Sequence, residues 1–386
     1  MVSIISGQRS AVRGGLRLFI VAVLLHWSLI ADRFAVASGP GTSAADSLNL
    51  GMGPRASGMG EAFTGLADDA SAIYWNPAGL SRLYVPEASF TYLDLFGDTQ
   101  QHYAAYAHPF PARGAALGAS VSYLRVTPFQ GYDNSAGKAG TVGASDMVLS
   151  VAGAQRWDRL AAGASLKYIR SDLAGAHAQT PSMDVGLAYL SRRTAREGRL
   201  DLGAAGSNLF GKLKYDSLAF KLPRSYRVGA SWSKAMVSDD ILTLSGDAIR
   251  SDASKKTEFA AGAEYWLVNL VALRAGFRTG QEIGSGFRAG LGLRIRSLEF
   301  DYAYAGFGDL GVVHRAAVSF RFGETREPAA LEASRLFERA EYLDAQGRYL
   351  EEVLTLNRIL DIDPGNAAAL ERMKTAAEKV KKEKRP

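Results

Sequence analysis

Histidine, serine and carboxylate side chains are where chemistry would start. Four histidines lie beyond the first 37 residues (His102, His108, His177 and His314), and their spacing matches no metal-ligand pattern. The chain has no cysteine, which excludes a thiolate metal site, a cysteine nucleophile and a disulfide framework. Ser231 and Lys234 have the Ser-x-x-Lys spacing of penicillin-binding enzymes without its partner motifs, and no Gly-x-Ser-x-Gly elbow occurs. Glu61, Asp68 and Asp69 could hold a cation. The run after Asp68-Asp69, Ala-Ser-Ala-Ile-Tyr-Trp, makes the aspartates read more simply as caps of a short helix. That helix should stop at Asn76, because the residue before a proline leaves the helical region. Gly51-Met52-Gly53-Pro54-Arg55-Ala56 imitates a dinucleotide loop, but Pro54 interrupts it and no adequate strand precedes it. These residues predict no enzyme, no metal and no cofactor.

A larger set of charges lies further on: Arg227, Arg274, Arg278, Arg288, Arg294 and Arg321, with Asp247, Glu258, Glu264, Glu299 and Asp301. Each alternates with an apolar neighbour. Phe287, Ala289, Leu291, Leu293 and Ile295 oppose Arg288, Gly290, Gly292, Arg294 and Arg296; Leu298, Phe300, Tyr302 and Tyr304 oppose Glu299, Asp301 and Ala303. Period two is a strand with two unlike faces. The pattern recurs from residue 87 to 323 in about fourteen segments, each long enough for the roughly 9–11 residues that a tilted strand needs to cross a bilayer. Aromatic residues near the segment ends suit interfacial girdles: Phe90, Tyr92, Tyr103, Tyr123, Tyr168, Tyr189, Trp232, Tyr265, Trp266, Phe277 and Phe320. A charge on the lipid side costs roughly 2–4 kcal/mol near the midplane, so the charged row must face the lumen. There it forms either a stiffening ion-pair ladder or a polar path. The longest connection is 128–144, a candidate external loop. Val318, Phe320 and Phe322 resemble the closing-strand signal read by the barrel-assembly machinery.

The ends of the chain differ from the middle. Arg9, Arg13 and Arg17 precede an apolar run from Leu18 to Ile30, followed by Ala35-Val36-Ala37. This is the order of a signal peptide, cleaved near Ala37. Removing residues 1–37 lowers the net charge from +6 to +3, so the basic character is mostly leader and predicts no nucleic-acid partner. After residue 323 the period changes to 3.6, predicting three helices. Ala340, Gly347, Tyr349, Leu356 and Pro364 fall on the spacing of one tetratricopeptide-like (TPR-like) repeat, with Glu352 and Ile359 where small residues are usual.

The densest motif precedes the barrel: Pro54-Arg55-Ala56, Gly58-Met59-Gly60, Ala62-Phe63, Ala67-Asp68-Asp69, Ala72, and Tyr74-Trp75-Asn76-Pro77-Ala78-Gly79-Leu80. It resembles the N-terminal signature of PorV/PorQ outer-membrane proteins, relatives of the FadL-type long-chain fatty-acid transporters. It departs at Pro54, where Ala is commoner, and at Glu61, where Gly is. The resemblance implies an all-β barrel of about fourteen antiparallel strands. Its plug would be the segment carrying Gly58, Gly60, Asp68, Asp69, Tyr74, Trp75, Asn76, Pro77, Ala78 and Gly79.

The expected organisation is a signal peptide (1–37), a plug or hatch (38–86), a barrel in the bacterial outer membrane (87–323) and a periplasmic TPR-like helical domain (324–386). The expected partners are outer-membrane lipid, the assembly machinery and a hydrophobic small molecule. A secreted or periplasmic protein is also expected, at 128–144 or at the 324–386 tail. Transport of a hydrophobic or small amphipathic compound, with an apolar pocket or lateral gap beside Asn76-Pro77, stands first. A type IX-like secretion shuttle and a scaffold acting through the tail are the alternatives.

Overall fold

The structure is a computed structural model that describes residues 45–132, 138–191, 198–236, 240–252, 256–280, 284–323 and 329–383. The expected signal peptide and its expected cleavage site lie outside these residues.

Residues from Glu87 onward form strands because alternation lets one side of each face an apolar surround and the other a packed interior. The first eight are β1 (Glu87–Leu95), β2 (Thr99–Phe110), β3 (Ala115–Tyr132), β4 (Lys138–Trp157), β5 (Leu160–Leu173), β6 (Ala176–Leu190), β7 (Arg199–Ser207) and β8 (Lys212–Tyr215). The others are β9 (Leu218–Lys221), β10 (Ser225–Ala235), β11 (Ile241–Ser251), β12 (Thr257–Leu267), β13 (Val271–Arg278), β14 (Phe287–Ile295), β15 (Leu298–Gly306) and β16 (Val312–Arg321). Fourteen of them pair antiparallel with their neighbours, and β1 closes on β16 from Glu87↔Arg321 to Asp94↔His314. The fold is therefore the closed fourteen-strand barrel that alternation predicted. Leu117, Val151, Leu166, Leu187, Leu244, Leu273, Leu291 and Phe300 are exposed on its outer face, the apolar band a membrane barrel presents to lipid.

Three expectations are corrected. The segment 128–144 is not a long loop: β3 runs to Tyr132 and β4 starts at Lys138, leaving only 133–137 outside the described residues. Pro128 lies at a register shift between Val126 and Phe129, where its missing N–H costs no ladder bond. Tyr103 and Trp266 are not girdle residues; both are buried on the inner face. Tyr265 and Trp266 are consecutive, so only one can point outward, and Trp266 turns inward beneath the Arg294 guanidinium, 4.0 Å from its ring centroid. Finally, β8 and β9 form a separate hairpin that segment counting missed. Leu213 of this hairpin and Leu222 just beyond it are buried with Leu48, Val148, Ile169 and Ala178. The hairpin thereby covers the inner face of the wall around β4 to β6.

Before β1, the chain forms α1 (Pro54–Gly58), a single turn α2 (Ala72–Trp75) and a 3-10 stretch over Pro77–Arg82. Pro54 opens α1, where a missing N–H is harmless. Asn76 leaves the helical region at φ −162°, as the following proline requires. Asp69 does not cap the helix itself; its carboxylate accepts from the Ser71 N–H at 2.9 Å, one position earlier.

After the barrel, the 3.6 period yields α3 (Ala329–Ala345), α4 (Tyr349–Ile362) and α5 (Ala367–Glu383). Their core is Ala333, Leu336, Ala340, Leu356, Ile359, Ala369 and Ala376. Arg372 ties the three together through Glu341 at 3.1 Å and Glu352 at 3.0 Å. Burial pushes the Glu352 carboxyl up, against the hydrogen bond from Arg372. Folding thus favours its neutral form. That contribution is complete below the ordinary carboxylate range and is lost as pH rises through the raised value. Glu352→Gln is expected to flatten this fall in helix stability toward neutral pH. Far-UV circular dichroism melts of the full chain at several pH values check it, and an unchanged pH slope refutes it.

Candidate functional site

The site is built on the segment between Leu48 and Leu83, which fills the barrel. Met59, Phe63, Leu66, Ile73, Trp75 and Leu80 are fully buried against wall residues such as Ala105, Ala116 and Ala152. Close approach of two backbones makes this fit possible. A Cβ on Gly186 would collide with Asn76 and Pro77, and one on Gly276 with Met59 and Gly60. The small residues on the inward rows do leave room inside, and the plug occupies it.

Polar contacts then fix its position. Asp247 of β11 accepts from the Phe63 and Thr64 N–H groups at 3.1 and 2.9 Å. Asn76 donates to the carbonyls of Thr64 at 2.9 Å and of Leu187 on β6 at 3.1 Å, and its own carbonyl accepts from Ala78 at 3.2 Å. Trp75 donates to Met52 at 2.8 Å and Tyr74 to Leu48 at 3.0 Å. The motif positions thus bind one another and the wall: Gly58 and Gly60 at the β13–β14 side, and Asn76, Pro77 and Ala78 at the β5–β7 side.

The charges sort into two groups. In one, Arg55 of α1 makes a bidentate bond to Glu264 (2.8 and 2.9 Å) and reaches Asp68 at 2.6 Å and Asp69 at 3.3 Å. Arg274 joins Glu264 at 2.6 Å to Asp301 at 2.5 Å. Arg321 bridges Glu87 and Glu299, each at 3.0 Å, and Arg294 holds Glu299 at 2.9 Å. In the other group, Glu61 pairs with Arg278 and Arg288, Glu258 holds Arg278 at 2.8 Å, and Arg315 donates to Ser57. Arg227 lies over the Trp75 ring at 4.8 Å. Arg227, Asp247, Glu258, Glu264, Arg274, Arg288, Glu299 and Asp301 are all buried. Glu61, Asp68 and Asp69 do not converge on one point: Asp68 and Asp69 share Arg55, whereas Glu61 answers to Arg278 and Arg288.

Sequence reasoning missed Arg55, Arg82, Glu87 and Arg315. Arg315 was visible in the same alternation, one row from Val318. Arg82, buried beside Asp201 at 3.0 Å and donating to the Gly65 carbonyl at 2.9 Å, has no local signal at all.

A small cavity of about 20 Å³ lies between plug and wall, lined by Leu48, Met52, Ile73, Tyr103, Leu124 and Val148 and by polar residues that include Ser120, Ser122, Asp146 and Lys167. It is not beside Asn76-Pro77, as expected, because Gly186 lets the wall close on that dipeptide. It lies instead at the β2–β5 side, below the residues that the β8–β9 hairpin covers.

The Uncharacterised protein family UPF0164 matches residues 34–188. No curated protein matches. Among solved structures, the toluene transporter TbuX of Ralstonia pickettii superposes with a TM-score of 0.51 at 17% identity, covering 71% of this chain and 99% of TbuX. The barrel is of the TbuX fold. The toluene transporter TodX of P. putida matches at a TM-score of 0.47 and 12% identity, covering 71% of this chain and 99% of TodX. A Pseudomonas aeruginosa FadL homologue matches at 0.42 and 14%, covering 69% and 98%.

The close fit at Gly276 is open to test. Gly276→Val is expected to cost more than about 3 kcal/mol, since backbone rather than a side-chain tip must yield. Ala275→Val, which points outward, should stay within about 0.5 kcal/mol. Heat-modifiable mobility and protection of the plug from trypsin read the result; equal behaviour of the two variants contradicts the packing.

Proposed function

We propose that this chain is an outer-membrane barrel that passes a hydrophobic or small amphipathic compound, and that the structure is its closed state. The observation that carries the reading is the narrow seam between plug and wall at β2 to β5, whose lining mixes apolar Leu48, Met52, Ile73, Leu124 and Val148 with polar Ser120, Ser122, Asp146 and Lys167, as an amphipathic compound would need. Leu48, which lines it from the plug side, is buried with Leu213 of the hairpin and with Leu222. Loops move on microsecond to millisecond scales and gate many sites in this way. Movement of Leu48 and the hairpin would open the seam from one end. Displacement of the plug would open it from the other. The shared fold with TbuX, a toluene transporter, supports the compound class.

A second reading is attachment of an exported protein client, as the PorV/PorQ resemblance implies, with the helical tail on the periplasmic side recruiting a partner. The number of buried contacts fixing the plug favours it, because a permanently shut barrel suits a binding role.

The absence of native cysteine gives a direct test. Ala78 of the plug packs with Ala161 of β5 and Ala188 of β6. A double variant Ala78→Cys/Ala161→Cys should lock the plug when oxidised. Uptake of a monoaromatic or long-chain test compound into cells is expected to fall roughly tenfold and to recover on reduction, as for a blocked gate. Uptake that the lock leaves untouched rejects transport through the lumen. Recovery of a secreted client with the locked barrel then favours attachment.

A further inference from the structure

Glu61 is the centre of an arginine-rich cluster that its carboxylates do not balance. Arg278 and Arg288 pair with the Glu61 carboxylate, Arg227 donates weakly to the Glu61 carbonyl at 3.4 Å, and Arg315 lies within Coulombic reach of the same residue. Glu258 is taken by Arg278. Asp247 uses one oxygen for two plug N–H groups, and its other oxygen has no hydrogen-bond partner among the described residues. Even counting Asp247, four guanidiniums face three carboxylates.

Three of the four arginines are deeply buried: Arg227 is 7% exposed, Arg288 2% and Arg315 3%. The Nε groups of Arg288 and Arg315 have no partner among the described residues. Arg315 has a neutral hydroxyl, Ser57, as its one hydrogen-bond partner there. A guanidinium always carries its charge and offers five donors, so it cannot escape burial by losing a proton. A buried cation without an anion is strongly disfavoured.

The other charge group leans slightly the opposite way: six arginines (Arg55, Arg82, Arg199, Arg274, Arg294 and Arg321) face seven carboxylates (Asp68, Asp69, Glu87, Asp201, Glu264, Glu299 and Asp301). No ion pair joins the two groups among the described residues. The positive surplus therefore stays local. Glu61 adds to its particularity: its φ of +67° is a left-handed conformation unfavourable for a side-chain-bearing residue, held where the plug meets these arginines.

We propose that Arg227, Arg288 and Arg315, around Glu61 and Ser57, form a buried binding site for a compact anionic group. The matching chemistry is a carboxylate, phosphate or halide, which planar guanidiniums hold through directed, charge-assisted hydrogen bonds. The group is either a free small anion acting as counter-ion of the plug or the head of an amphipathic compound. The site stands on charge balance and does not depend on the transport reading.

The test is thermal unfolding of the purified full chain in neutral detergent at constant ionic strength. Gluconate, too bulky to enter, is exchanged stepwise for chloride, phosphate or octanoate. The wild-type midpoint should rise saturably by about 2–4 °C with an anion that binds. A rise with chloride or phosphate identifies a free anion; a rise with octanoate alone identifies a head group. Arg315→Gln should abolish the saturable rise. Glu61→Gln, which removes the competing carboxylate, should lower the half-saturating concentration about tenfold. A flat wild-type response to all three anions overturns the proposal. So does a saturable rise retained in Arg315→Gln, or, where that variant fails to fold, an unchanged or raised half-saturation in Glu61→Gln.

Discussion

A fourteen-strand barrel has a lumen that its own inward side chains cannot fill, and the structure depends on solving that problem. The solution is a piece of the same chain. Some three dozen residues ahead of the first strand enter the lumen and serve as its core, with Trp75, Phe63 and Met59 as the largest buried members. The core of this protein is therefore a plug, and the wall is shaped around it.

A core made this way inherits a wall that must stay polar inside, because the lipid face takes the apolar row. Buried arginines and carboxylates follow directly. They cannot be left unpaired, so they are wired across the plug: Arg55 from the plug to Glu264 of the wall, Glu61 from the plug to Arg278 and Arg288. The same wiring that neutralises charge also fixes the plug's depth and rotation. Around Arg315 and Arg227 it is incomplete, and arginines outnumber the carboxylates that face them. Around Leu48 and Ile73 a small cavity remains between plug and wall.

The number of barrel strands was legible, because it follows from a period-two alternation that needs no knowledge of neighbours. Arg274 and Glu299 could be placed on the lumen side for the same reason. Pairing partners were not legible: Arg55 and Glu264 stand 209 residues apart, and nothing local links them. The extent of β3 and β4 was hidden by Pro128 and the glycines near it, which read as loop but fit a strand at a register shift. The β8–β9 hairpin was hidden because four-residue strands are too short to show a period.

By itself, then, the amino-acid sequence determined the class of the molecule: alternation with an apolar outer row and a charged inner row is stable only as a barrel in lipid. That the Tyr74-to-Leu80 motif belongs to a plug was an expectation from its resemblance to a known family, and the structure packs it inside the barrel. Tertiary structure alone decided that the lumen is filled rather than open, that the residual cavity lies away from Asn76-Pro77, and that Glu61 is shared among too many arginines. The reason is physical. Which face a residue occupies is set by its immediate neighbours along the chain. Charge balance and free volume are sums over side chains that only the closed barrel brings together.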